Sequence, residues 1–385
     1  MFFRPNNGLT LNEDTIFKYY FSVLEDSSYR DSIYRPYNEL LAKIRRISSK
    51  LFTEHPSDYD KTDLDNELNL AINNLNEMCN NLFPASDFLK FTSRKDLWRL
   101  FIDGKDQEAN NPLIYDEKEP GYFVSTHECL FFMNRSLNTR LSPELLVHLH
   151  QIAMQGMVDE EGHSIKSDFS CKDNPIKNYF PLDAVNTTQA GLEERYKNHY
   201  LEVTNWSFNV PDIFGNGCGI EKYTDPSRST ELCMKLWENI QNKHIRLFCN
   251  TYLENASRII EKLNFFINNY YDEIKEADED SRKIIVTIAK FCINLNVTHI
   301  FSDGNIRLAN IILQKLLLEN KLPTAILHNP NYLDGYSAEE MADEIELGIK
   351  HSLEIMMRHD MNKKDSFEKE YGYFIGPNCH KKNMP

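Results

Sequence analysis

Two apolar segments joined by a short polar loop constrain this chain most. In residues 281–297 (SRKIIVTIAKFCINLNV), Ile284, Ile288, Cys292 and Leu295 recur at helical intervals, and both flanks of that stripe are also apolar. In residues 306–320 (IRLANIILQKLLLEN), Leu308, Ile312 and Leu316 form one line, with Ala309, Leu313 and Leu317 beside it. A helix that is apolar nearly all round belongs in an interior, so two such helices back to back predict the centre of a helical fold. The loop between them, THIFSDGN, is then held on both sides by the core.

The rest of the chain agrees with a mainly α fold. Glycine is scarce, at 14 of 385 residues, and apolar positions follow helical spacing over most of the length. Helices are expected at 12–25, 31–53, 62–83 and 94–103. A second group follows at 141–157, 228–249, 250–275 and 337–357. Ser142 and Ser337 suit the N-cap of their helices, and Pro143 suits a first turn. In the 62–83 helix, Leu64, Leu68, Ile72, Leu75 and Leu82 make the stripe, with Asp65 and Asn66 near its start. Residues 104–122 are polar and turn-rich and read as a linker. Residues 158–227 gather the Gly, Pro, Asn and Thr clusters and read as loops with one or two short hairpins, a flap beside the site. The expected organisation is a helical N-terminal region at 1–120, a catalytic domain at 121–360 and a polar tail at 361–385.

Charge and composition narrow the function. The net charge of −15, without a basic block, disfavours nucleic-acid binding. No apolar run approaches the roughly 18–20 residues of a membrane-spanning helix. The first residues lack a basic-then-apolar leader, so a cytoplasmic location is the expectation. The eight cysteines form no CxxC pair and match no zinc module. His148 and His150 sit too close for one helix face, so at least one is expected at the surface. His127-Glu128 and the 159–163 run DEEGH lack the HExxH spacing of a metal site.

The loop His299–Arg307 concentrates chemistry. A glycine permits a sharp turn, and the helix that follows begins with amides unpaired inside it, here 304–306. Such amides, with the helix dipole, form an anion nest whose natural guest is phosphate. Arg307 on the first turn adds a bidentate cation. A bare carboxylate at Asp303 would repel phosphate, and a bridging Mg²⁺ resolves the conflict. Histidine titrates near neutrality, which suits His299 to accept a proton from a hydroxyl.

The run HIFSDGNIR resembles the Fic family signature, in which a His, a Phe two on, an acid, Gly-Asn-Gly and Arg recur in order, with a second Arg three later. Helix order from about 141 to 357 resembles the family more loosely. The resemblance implies an all-helical core with this loop between two central helices. It implies AMP transfer from ATP, with Mg²⁺, to a Ser, Thr or Tyr hydroxyl of a target protein. By the same resemblance, His299 is the general base, Phe301 the loop anchor and Asp303 the metal ligand. Gly304, Asn305, Ile306 and Arg307 make the phosphate cradle. Two positions depart from the pattern: Ile306 replaces the second glycine and Asn310 the distal arginine. A charged hydrogen bond contributes about 1.5–3 kcal/mol, so these departures bear on the donor. Family members with altered signatures transfer a γ-phosphate, or phosphocholine from a cytidine diphosphate conjugate. A degenerate Fic fold kept as a binding module is a further reading. The composition also resembles that of secreted bacterial effectors, which act in a host cytosol.

Overall fold

The computed structural model of the chain describes residues 27–53, 58–116, 119, 121–155, 176–182, 184–199, 229–241, 247–253 and 256–375. The helix expected at 12–25, most of the loop region 158–227 and the end of the tail lie outside the described residues. The chain divides into two compact units, Met1–Pro84 and Ala85–Pro385.

In the first unit, α1 (Ser27–Thr53) packs against α2 (Asp58–Leu82). Tyr37, Leu41, Ile44 and Ile47 supply the buried stripe of α1, and Ala71, Leu75 and Cys79 that of α2. The α2 stripe is therefore rotated from the Leu-rich line expected, of which Leu75 alone is buried. Because α2 begins at Asp58, Asp65 and Asn66 sit inside it rather than at its cap.

The second unit is mainly helical. In order it holds α3 (Tyr122–Arg135), α4 (Pro143–Ala153), β1 (Ile176–Leu182), α5 (Gln189–His199), α6 (Ser229–Gln241) and β2 (Leu247–Leu253). Then come α7 (Ala256–Ala277), α8 (Ser281–Thr298), α9 (Asn305–Glu319), α10 (Ala338–His359) and α11 (Lys364–Ile375). The central element is α8, which packs against α7, α9 and α10. Its buried residues run all round, Ile284, Ile285, Ile288, Cys292 and Leu295 among them, as its apolar flanks require. Asp280 caps it, accepting from the amides of Arg282 at 3.0 Å and Lys283 at 3.2 Å. Ser142 caps α4 by accepting from Leu145 N, and Ser337 caps α10 in a capping box with Glu340.

Three expectations give way. The run 247–253 is a strand, not part of a helix: it pairs antiparallel with β1 in the register Ile176↔Leu253 to Leu182↔Leu247. The pair is not a local hairpin, since residues 183–246 separate its strands. The segment 94–103 forms only a short 3₁₀ turn at Leu97–Leu100. The expected linker at 104–122 begins as folded structure: a 3₁₀ turn at Gly104–Ala109 is tied to the segment before Asn329 by Gly104 N→Leu327 O (2.8 Å) and Lys105 N→His328 O (3.1 Å).

Candidate active site

The C-terminus of α8 and the N-terminus of α9 meet at one cleft of roughly 760 Å³. Its other walls are Phe101, Asp103, Asp106, Ile114, Tyr115, Glu119 and Tyr122, and the 3₁₀ turn Pro330–Asp334. The α8 end is pinned before the loop begins. Asn296, which is buried, donates through Nδ2 to Asp334 Oδ1 at 2.8 Å. His299 then adopts a left-handed conformation, φ 52 and ψ 53, and its N–H closes on Asn296 O at 3.1 Å. A non-glycine residue there carries a steric cost, and this one stops the helix and turns the side chain into the cleft. The ring Nδ1 lies 3.3 Å from the same carbonyl. A carbonyl only accepts, so Nδ1 carries the proton and Nε2 is left as the basic nitrogen.

The loop beyond His299 is locked from inside. Ile300 and Phe301 are buried. Phe301 stacks face to face on His150 of α4, with ring centroids 3.7 Å apart and 14° between planes. His150 Nε2 donates to the carbonyl of Asp303 at 2.8 Å. Burial pushes the His150 imidazole down to about 4, opposed by the backbone bond to Asp303 and that residue's charge, so near neutral pH it is an uncharged donor. Asn305 clamps the loop on itself: Oδ1 accepts from Phe301 N at 3.0 Å and Nδ2 donates to Phe301 O at 2.9 Å. Gly304 sits at φ 72, a left-handed backbone conformation that favours glycine, and a Cβ there would press on the Met154 side chain.

His299, Asp303, Gly304, Asn305, Ile306 and Arg307 all line the cleft, whereas Phe301 sits buried beneath the loop against His150. Two expected details change. Gly304 N, expected among the unpaired amides, donates instead to Asp303 Oδ1 at 2.6 Å. The first intrahelical bond is Leu308 N→Gly304 O, so the amides just before it have no carbonyl in their own helix. The Asn305 side chain is consumed by the clamp, leaving only its backbone for an anion.

Arg307 is the one Arg or Lys side chain lining the cleft among the described residues. Its Nη1 donates to Ala153 O at 3.0 Å, its guanidinium lies 4.2 Å from the Tyr122 ring centroid, and Nη2 pairs with Glu119. Burial lowers it to about 9, with the charge of Asp116 opposing, so it stays a cation at neutral pH. Asn310 also faces inward, donating to Leu100 O at 3.3 Å. Against the one guanidinium stand five carboxylates: Asp103, Asp106, Glu119, Asp303 and Asp334.

Sequence reasoning missed His150 and the wall that runs from Phe101 to Tyr115 with Glu119 and Tyr122. His148 and His150 are both fully buried, against the expectation that one is exposed, because α4 packs on α3 and on α9. The available signal was position: a histidine two residues from another, inside an apolar stripe, has to be buried if both helix faces are covered. The wall was hidden by its polar, turn-rich composition, although Tyr115 and Tyr122 are unusual in a linker.

No family model matches the chain. It is similar to Phosphocholine transferase AnkX of Legionella pneumophila subsp. pneumophila (strain Philadelphia 1), with 25% identity over 304 residues. The match takes in 75% of this chain and 31% of that protein, so the chain corresponds to about a third of its relative.

Proposed function

We propose that this chain is a Fic-type transferase that moves phosphocholine from a cytidine diphosphate conjugate onto a hydroxyl of a target protein. The observation that carries the reaction type is that His299 and the N-terminus of α9 open onto the same cleft. The target oxygen attacks the choline-bearing phosphorus in line. Nε2 of His299 takes the hydroxyl proton as the new O–P bond forms. The bond from that phosphorus to the bridging oxygen breaks, and cytidine monophosphate leaves with the electron pair. The amides at the start of α9 and the Arg307 guanidinium stabilise charge building on the phosphate oxygens, which is the main catalytic contribution in such reactions. Asp303 is exposed in the cleft, and a single carboxylate beside diphosphate oxygens is a donor set that suits Mg²⁺. When bound there, the ion supplies neutralisation of the diphosphate charge.

The charge of the cleft supports this donor. A triphosphate needs cations along its length, and Asn310 holds a backbone carbonyl where the resembled signature carries an arginine. A diphosphate conjugate ending in a quaternary ammonium carries less negative charge and offers a cation to the carboxylates. The similarity to a phosphocholine transferase supports the same choice over AMP transfer from ATP.

The test is to incubate the purified chain and Mg²⁺ with a eukaryotic lysate plus isotope-labelled CDP-choline or labelled ATP. Mass spectrometry then reads the mass added to labelled peptides. Phosphocholine on a hydroxyl residue, lost in His299→Ala, is the expected result. Labelling that persists unchanged in His299→Ala overturns the base assignment, and His299-dependent labelling from ATP alone overturns the donor.

A further inference from the structure

The wall that includes Asp106, Tyr115 and Tyr122 carries a feature that phosphate chemistry leaves unused. Asp103 is paired with Lys105 at 3.2 Å, Glu119 with Arg307, and Asp334 accepts from Asn296. Asp106 is different. It lines the cleft and accepts from the Tyr115 hydroxyl at 2.9 Å, and no Lys or Arg among the described residues pairs with it. That bond also orients the Tyr115 ring, which lines the cleft in its turn. Tyr115 packs edge-to-face on Tyr122, with centroids 5.1 Å apart at 90°. Tyr122 in turn carries the Arg307 guanidinium on its ring. The aromatic ladder therefore runs from the anion-binding arginine, through one fixed ring, to a second ring beside an unneutralised carboxylate.

We infer that Tyr115 and Asp106 form a subsite for the quaternary ammonium of the donor, an inference that rests on the phosphocholine-transfer reading. With the choline-bearing phosphate at Arg307 and the amides of α9, the short alkyl arm of choline leads along the Tyr122–Tyr115 ladder. A trimethylammonium group donates no hydrogen bonds. It is held by an aromatic ring and by nearby negative charge, which this pair supplies. The subsite makes these two residues determinants of donor choice, separate from the groups that move the proton or hold the phosphate. It selects a donor that is anionic in the middle and cationic at the end.

The experiment is calorimetry on the full chain with Mg²⁺, titrating CDP-choline and CDP separately, for wild type, Tyr115→Leu, Tyr115→Phe and Asp106→Asn. The readout is the ratio of the two dissociation constants within each variant, which is insensitive to a uniform loss of folded protein. Wild type is expected to bind CDP-choline more tightly than CDP. Tyr115→Leu brings the ratio down by about 5–30-fold, the factor a desolvated cation–aromatic contact supplies. Tyr115→Phe, which keeps the ring, retains more of it, and Asp106→Asn lowers it. Equal affinities in wild type, or equal losses for both ligands in Tyr115→Leu, overturn the subsite. The two readings fail separately. His299-dependent labelling from CDP-choline with a ratio of one removes the subsite alone. No binding of either ligand and no labelling removes the transfer reading and the subsite with it.

Discussion

Replacing His150 with Phe tests whether a buried neutral imidazole locks the loop between α8 and α9. The substitution keeps a flat ring against Phe301, where the two planes lie 14° apart, and removes the 2.8 Å bond to the Asp303 carbonyl. At pH 7 the loss of that bond costs about 1–2 kcal/mol, since a partly buried acceptor loses its partner. A second effect runs the other way in acid. His150 is held down to about 4 by burial, against about 6.5 in the unfolded chain. Between those values the unfolded state binds the proton and the folded state does not. The stability that His150 confers is therefore complete above about pH 6.5 and is lost as the pH falls towards 4. From pH 7 to pH 5 this removes about 2 kcal/mol from wild type and nothing from the variant at this position. His127 and His148, also pushed down to about 4 by burial, are common to both proteins and cancel. The difference between His150→Phe and wild type should therefore move by about 2 kcal/mol in favour of the variant, from destabilised at pH 7 to level or slightly stabilised at pH 5. Urea unfolding followed by tryptophan fluorescence measures it, because Trp98, Trp206 and Trp237 all lie beyond residue 84 and report on the Ala85–Pro385 unit. An unfolding difference that is the same at both pH values refutes the neutral buried imidazole.

Other outcomes follow from the same geometry. Gly304→Ala places a methyl group against the Met154 side chain at a φ of 72. The left-handed backbone alone costs about 1–2 kcal/mol, and displacing the start of α9 should cut CMP release from CDP-choline at least ~10-fold. Retained activity in a folded variant contradicts the proposed anion site. Arg282 joins α8 to α10 through Glu339 at 2.8 Å, Asp343 at 2.7 Å and Glu346 at 3.2 Å. Burial works against its charge, but these carboxylates hold it above the usual guanidinium range. Arg282→Met should cost about 1–2 kcal/mol in urea unfolding, with the loss shrinking in high salt because the contact is partly exposed.

The chain's own order of residues determined the two interior helices and the loop between them. The signals were local: apolar spacing around α8 and α9, Asp-Gly-Asn at the turn, Ser142 and Ser337 as caps. Periodicity and capping act within a few residues, so a linear reading recovers them. It also sets His299, Asp303 and Arg307 close together in the chain, and all three line one cleft. Tertiary structure alone decided which groups complete the cleft. His150 reaches the loop from α4, Tyr115 and Asp106 come from a stretch whose composition resembles a linker, and Asp334 arrives from beyond α9. The strand Leu247–Leu253 is of the same kind: a short apolar run is ambiguous between helix and strand until a partner, here Ile176–Leu182, claims its backbone hydrogen bonds. The Asn305 side chain, whose position suggests an anion ligand, was taken by the backbone of Phe301. Buried polar groups must find partners, and the chain far from them in sequence supplies those partners only when it has folded.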